Sequence, residues 1–188
     1  DGTGENIAAA RQYKYVDEYQ QTTFEVKLVP NRKYKFVVWA DFVKEGKTDD
    51  LYYNTTDLRQ ISIITTAEGF NAMNEARDAY FITQNLEIKK DVNQTLVLKR
   101  PLAKLRVVTT DKQHWAKYAT PAQVVVKYYE SKLSNVFNAV NGNIDADNSP
   151  LQQLTYDVTY ATAASQYNET EENKTLFTDY LFAIPGAH

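Results

Sequence analysis

The stretch Leu98–Asp111, LKRPLAKLRVVTTD, decides the fold, because it holds two strand-like runs on either side of Arg100-Pro101. Leu96 and Leu98 share one side before the break. After it Ala103, Leu105 and Val107 share one side and Lys104 and Arg106 the other, the alternation of a strand with one buried and one wet face. A proline has no N–H to give to a ladder, so Pro101 belongs at a strand start or a bulge and fixes where the second run begins. Two apolar runs therefore meet at one corner, with Ala103, Leu105 and Val107 expected inside.

Outward from that corner the chain reads as short strands. Thr23–Val29 alternates Phe24, Val26 and Leu28 with Glu25 and Lys27, and Pro30-Asn31 turns it. Lys33–Val43 sets Tyr34, Phe36, Val38, Ala40 and Phe42 against Lys35, Val37, Trp39 and Asp41, a two-sided strand suited to a central place. The 44–57 stretch, KEGKTDDLYYNTTD, reads as an exposed loop, and Leu58–Thr66 as a strand of imperfect alternation. Phe70, Met73, Arg77 and Tyr80 recur at helical spacing and predict one short helix, followed by short strands at Tyr80–Thr83 and Leu86–Lys90. Ala122–Tyr129, Gln153–Ala161 and Leu176–Ile184 alternate as strands, and Leu133–Val140 reads as a strand or an irregular packed segment. Asn141–Pro150 is rich in turn formers. Nine to eleven strands with polar loops and no long helical crossover predict an all-β domain of two packed sheets, a β-sandwich, with a barrel as the other option. Residues 1–21 are expected to be a loose arm and residues 22–188 the single domain.

Composition narrows the function classes. The 188 residues are enough to bury about 70% of the unfolded surface without staples, and there is no cysteine for a disulfide or a thiolate metal site. With 21 basic and 24 acidic side chains the charge is −3, and no segment concentrates positive charge, so nucleic acid is not an expected partner. No apolar run approaches the length of a membrane helix.

Chemistry has little to stand on. His114 is the internal histidine and has no nucleophile-elbow context, while His188 is terminal. Asp41, Asp49, Asp50 and Asp57 gather around one loop, which reads as a solvated face. Asn143, Asp145 and Asp147 offer oxygens at alternate positions, but Asn148 and Leu154 stand where a calcium loop needs glycine and glutamate. No phosphate-binding glycine motif occurs, so no cofactor is expected and the chain does not read as an enzyme. Tyr52, Tyr53, Trp115 and Tyr118 are candidates to stack on a sugar ring, which keeps an extracellular carbohydrate-binding module as the alternative function. Sequons at Asn54, Asn93, Asn168 and Asn173 are no more than an Asn- and Thr-rich chain produces by chance.

Several segments in order resemble the fimbrillin family, the type V pilins and related surface adhesins of Bacteroidetes. They are YKFVVWADFV (34–43), DLYYNTTDL (50–58), ARDAYF (76–81), LKRPLAKLRVVTTD (98–111), VVVKYYESKLSNVFNAVNG (124–142) and TDYLFAIP (178–185). The resemblance implies an N-terminal, transthyretin-like β-sandwich of a structural or adhesive subunit that joins other pilin or fimbrillin-like subunits by strand pairing. It implies display at the outer membrane or in a fimbrium, with the membrane reached only through a lipid anchor since removed, and host or bacterial surface glycans or proteins as targets. Family members carry a second domain after a sequence like DYLFAIP, which leaves either a missing donor strand or a fragment of a longer protein. Arg11, in AAARQYKY, lies where the family's arginine-specific trimming would fall.

Overall fold

The computed structural model describes residues 11–16, 21–70, 73–110, 134–144 and 174–183, and in it the chain turns a corner at Pro101. Before the corner, Lys99 exchanges both backbone hydrogen bonds with Phe81, at 2.8 and 2.9 Å. Pro101 itself is buried, and a new strand opens at the next residue, where a missing N–H costs nothing.

Eight strands are described: β1 (Arg32–Asp41), β2 (Tyr53–Asn54), β3 (Ile61–Ile63), β4 (Ala79–Ile88), β5 (Leu102–Thr109), β6 (Val136–Asn138), β7 (Asn143–Ile144) and β8 (Lys174–Phe182). A 3-10 turn, Glu75–Arg77, is the helical element among the described residues. The strands form an antiparallel β1–β4 ribbon, a four-stranded sheet in the order β2-β3-β6-β7, and an antiparallel β5–β8 pair. The chain is all-β and sandwich-like, as the alternation predicts.

One aromatic side chain ties the pieces together. Phe137 of β6 meets Phe81 of β4 edge-on at 4.7 Å, stacks on Phe182 of β8 at 5.6 Å and lies 6.2 Å from Trp39 of β1. Tyr53 of β2 closes the cluster against Trp39 and Phe182. Such pairs add about 0.5–1.5 kcal/mol each beyond the area they bury. The β6–β7 hairpin brings Gly142 against the Phe81 ring with φ of +77°, a conformation that suits glycine.

Several expectations are corrected. Thr23–Val29 joins no ladder among the described residues, and Phe24, Val26 and Val29 are exposed. β1, expected in a central place with both faces in use, sends Val37 and Trp39 from one face to the core and among the described residues pairs with β4 alone. The predicted helix at 70–80 is only the 3-10 turn, and the two short strands after it are one ten-residue strand, β4. Tyr52, Tyr53 and Thr55, expected in an exposed loop, are buried.

The largest correction concerns β5. Ala103, Leu105 and Val107 face outward, with Leu105 38% and Val107 42% exposed. The alternation is real, but the strand is exposed from Ala103 to Val108. Lys104 and Arg106 are the side chains that reach protein: Lys104 lies over the Tyr180 ring and pairs with Glu75, and Arg106 donates to Thr175. Long cationic stems can cover an apolar surface while their heads stay paired, which local hydropathy does not register. The strands expected at Ala122–Tyr129 and Gln153–Ala161, and the residues Asp145 and Asp147, lie outside the described residues.

Phe137→Ala is expected to cost about 3–5 kcal/mol in urea unfolding, the range for emptying a large aromatic site. Leu105→Ser should change stability by less than about 0.5 kcal/mol, as an exposed position does. The reverse order of the two effects would place the core on the other side of β5.

Candidate functional site

Residues 73–81 build a polar lock between the sheets. Met73 takes a left-handed φ of +62° and donates its N–H to the Thr178 carbonyl of β8 at 3.0 Å. Asn74 caps the 3-10 turn by accepting from the Ala76 N–H. Arg77 then enters the interior and pairs with Asp179 at 2.6 Å, with side chains 1% and 0% exposed. Its guanidinium sits 4.2 Å from the Phe70 ring centroid, and its carbonyl accepts the Tyr53 hydroxyl. Asp78 turns the other way and receives Arg100 from the corner at 2.6 Å and Tyr80 at 2.7 Å. Glu75 accepts from Lys104 of β5 at 2.8 Å and from the Tyr180 hydroxyl. Each ionic group of this lock has a partner of opposite charge: Arg77 with Asp179, Arg100 with Asp78, and Lys104 with Glu75.

A second polar place lies at the surface. A hollow of about 340 Å³ is lined by Arg11, Tyr13, Thr48, Asp49, Asp50, Thr55 and Thr56. The Arg11 guanidinium donates to the Thr55 carbonyl, to Thr55 Oγ1 at 2.8 Å and to the Thr56 carbonyl at 3.1 Å. Asp50 holds the loop in shape: its Oδ2 accepts the Thr55 N–H at 2.6 Å and its Oδ1 accepts the Thr55 hydroxyl at 2.7 Å. The Tyr13 ring lies 5.0 Å from the guanidinium carbon.

Asp41 ends β1 close to this loop and accepts from Trp39 Nε1 at 3.0 Å. Burial pushes its carboxyl up to about 6; the Trp39 hydrogen bond offsets part of the rise and the charge of Asp50 adds to it. Among the described residues no three His, Asp or Glu side chains converge to hold a metal ion. No described helix is long and apolar enough to cross a membrane.

The structure scatters the residues singled out in the sequence. Tyr52 and Tyr53 are 5% and 1% exposed, so neither offers a free ring face to a sugar. Tyr53 packs in the aromatic cluster and Tyr52 accepts from Asn74 at 2.9 Å. Trp115, Tyr118 and His114 lie outside the described residues. Arg11 is docked in the hollow, while Asp57 pairs with Arg59 in a half-exposed surface contact. Sequence reasoning missed Thr55 and Thr56 altogether, because their part is played largely by backbone carbonyls, which every residue has.

The chain belongs to a family of unknown function (DUF6562), which matches residues 1–186. No curated protein and no solved structure matches it.

Two measurements test this geometry. The Asp41 carboxyl binds its proton more tightly folded than at its ordinary value of 3.8, so stability falls as pH rises from about 4 through 6. The rise is worth ~3 kcal/mol at about 1.4 kcal/mol per pKa unit. Asp41→Asn should therefore raise the melting temperature at pH 8 and lose that advantage at pH 4. An arginine-specific protease must take the Arg11 side chain into its own pocket, so the docked residue is shielded. Asp50→Asn is expected to speed appearance of the 1–11 fragment several-fold, read by mass spectrometry, and an unchanged rate would contradict the docking.

Proposed function

We propose that the chain is a non-enzymatic structural or adhesive subunit of a bacterial surface assembly, a fimbria or fimbrillin-like protein, in which copies join by strand addition. The observation that carries the reading is the Thr22–Val29 segment. None of its backbone N–H groups from Thr22 to Leu28 finds a partner among the described residues, and its alternate side chains Phe24 and Val26 are exposed. Exposed backbone that joins no ladder, beside alternating apolar side chains, is what a sheet edge in another molecule can complete. β1 supplies such an edge, since β4 pairs along one side of it only among the described residues. The neutralised lock agrees with a scaffold role. The order of the segments that resemble fimbrillins supports this class of assembly and, with it, an outer-membrane or fimbrial setting.

The test is self-association of the whole chain by sedimentation velocity over a wide concentration range. Concentration-dependent oligomers are expected, and Val26→Pro should abolish them without lowering the melting temperature, because Val26 is 49% exposed and its N–H has no partner among the described residues to lose. A chain that stays monomeric throughout, or a proline variant that assembles as well as the parent, would overturn the reading.

A further inference from the structure

We propose that the hollow beside Thr55 is a guanidinium-binding site, and that the ligand it takes in the assembled state is Arg11 of a second copy of this chain. This deepens the strand-addition reading and rests on it for the identity of the partner.

The site is built for a guanidinium in particular. Three acceptors converge on Arg11: the Thr55 and Thr56 carbonyls and Thr55 Oγ1. The Thr55 hydroxyl has a single proton, and Asp50 Oδ1 takes it at 2.7 Å. Its lone pairs are thereby left facing Arg11, so the hydroxyl can only accept. Asp50 also fixes the Thr55 N–H, and Thr55 is 7% exposed, so the acceptor set is rigid before any ligand arrives. Asp49 and Asp50 on the rim favour a cation. A planar fork with several donors can satisfy acceptors on two adjacent residues at once, whereas an ammonium is a point donor.

The present occupant is weakly committed. Among the described residues the 11–16 segment makes no backbone hydrogen bond of its own. It is held by side chains: Arg11 in the hollow, Gln12 on the Glu25 carbonyl and Lys14 on the Thr23 carbonyl. Tyr13 is 57% exposed and Tyr15 42%. A ligand tethered on its own chain competes at an effective concentration of the order of millimolar. Exchange with a neighbour is therefore negligible in dilute solution and favoured where copies are packed at comparable local concentration, as in an array.

The experiment uses the full chain carrying Arg11→Ala, which empties the hollow, and a fluorophore-labelled, end-blocked peptide of residues 11–16, RQYKYV, followed by anisotropy. Saturable binding is expected, at least tenfold weaker to the parent chain because its own Arg11 competes. A peptide with lysine in place of the arginine should bind at least tenfold more weakly. So should the parent peptide when Asp50→Asn is added to the Arg11→Ala chain, with circular dichroism confirming that this variant is folded. No saturation up to millimolar peptide would overturn the proposal, and so would equal binding of the arginine and lysine peptides. If Asp50→Asn fails to fold, the lysine peptide and the parent chain decide alone. The measurement is made on monomeric chain, so loss of strand-added oligomers would not mimic its failure.

Discussion

The rest of the structure depends on one buried ion pair, Arg77 with Asp179. Both side chains are essentially without solvent, so each would carry a desolvation penalty of several kcal/mol if it stood alone. The pair is made tolerable by its surroundings. Phe70 presents a ring face to the guanidinium, and the Tyr180 carbonyl, 103 residues along the chain, lies at the limit of hydrogen-bond distance from it. Removing either partner of such a pair costs about 3–5 kcal/mol, whereas replacing both by apolar side chains is commonly neutral. Its contribution is thus to where β8 sits. Asp179 can be buried only where Arg77 reaches it, and that fixes the register of the last strand against the rest.

Around the pair, three stretches far apart in sequence converge. ARDAYF supplies Arg77, Asp78, Tyr80 and Phe81; LKRPLAKLR supplies Lys99, Arg100, the corner at Pro101 and Lys104; TDYLF supplies Thr178, Asp179, Tyr180 and Phe182. Met73 holds a left-handed conformation that costs an L-residue roughly 1–2 kcal/mol, and its hydrogen bond to Thr178 is what the segment gains in return. Strain of this size persists only where neighbours over-determine the backbone.

Local pattern was enough to find strands at β1 and β8 and the strand start at Pro101, because each follows from alternation or from a missing N–H, but not to place β1 in its sheet. It misled at Phe70–Tyr80, where helical spacing is a coincidence of four residues with separate duties. Phe70 faces Arg77, Met73 bonds β8 through its backbone, Arg77 meets Asp179, and Tyr80 meets Asp78. It misled again on β5, where the apolar side chains look outward and the cations reach protein. In both places partners far along the chain take part, Thr178 and Asp179 in the first and Glu75, Thr175 and Tyr180 in the second, and periodicity within a window carries no trace of them. The hollow is the same case: Arg11 and Asp50 were each visible as residues, but nothing local joins Arg11 to a threonine 44 positions later.

The division of labour along the chain follows from where the core begins. The buried cluster and the side chains packed on it start at Val37, and none of the described residues before it takes part. Displacing residues 11–16 and 21–29 would therefore open no cavity in the aromatic core, and the transfer and cavity costs that make core segments inseparable do not apply to them. The attachments they do make among the described residues are side-chain hydrogen bonds and cation–ring contacts at or near the surface, from Arg11, Gln12, Lys14 and Tyr34. The lock at Arg77–Asp179 has the opposite character, since disturbing it leaves a charge in the interior. The proposed trade of a segment between copies would need this asymmetry: a body fixed by costly internal constraints, and an edge held by contacts that another copy could reproduce.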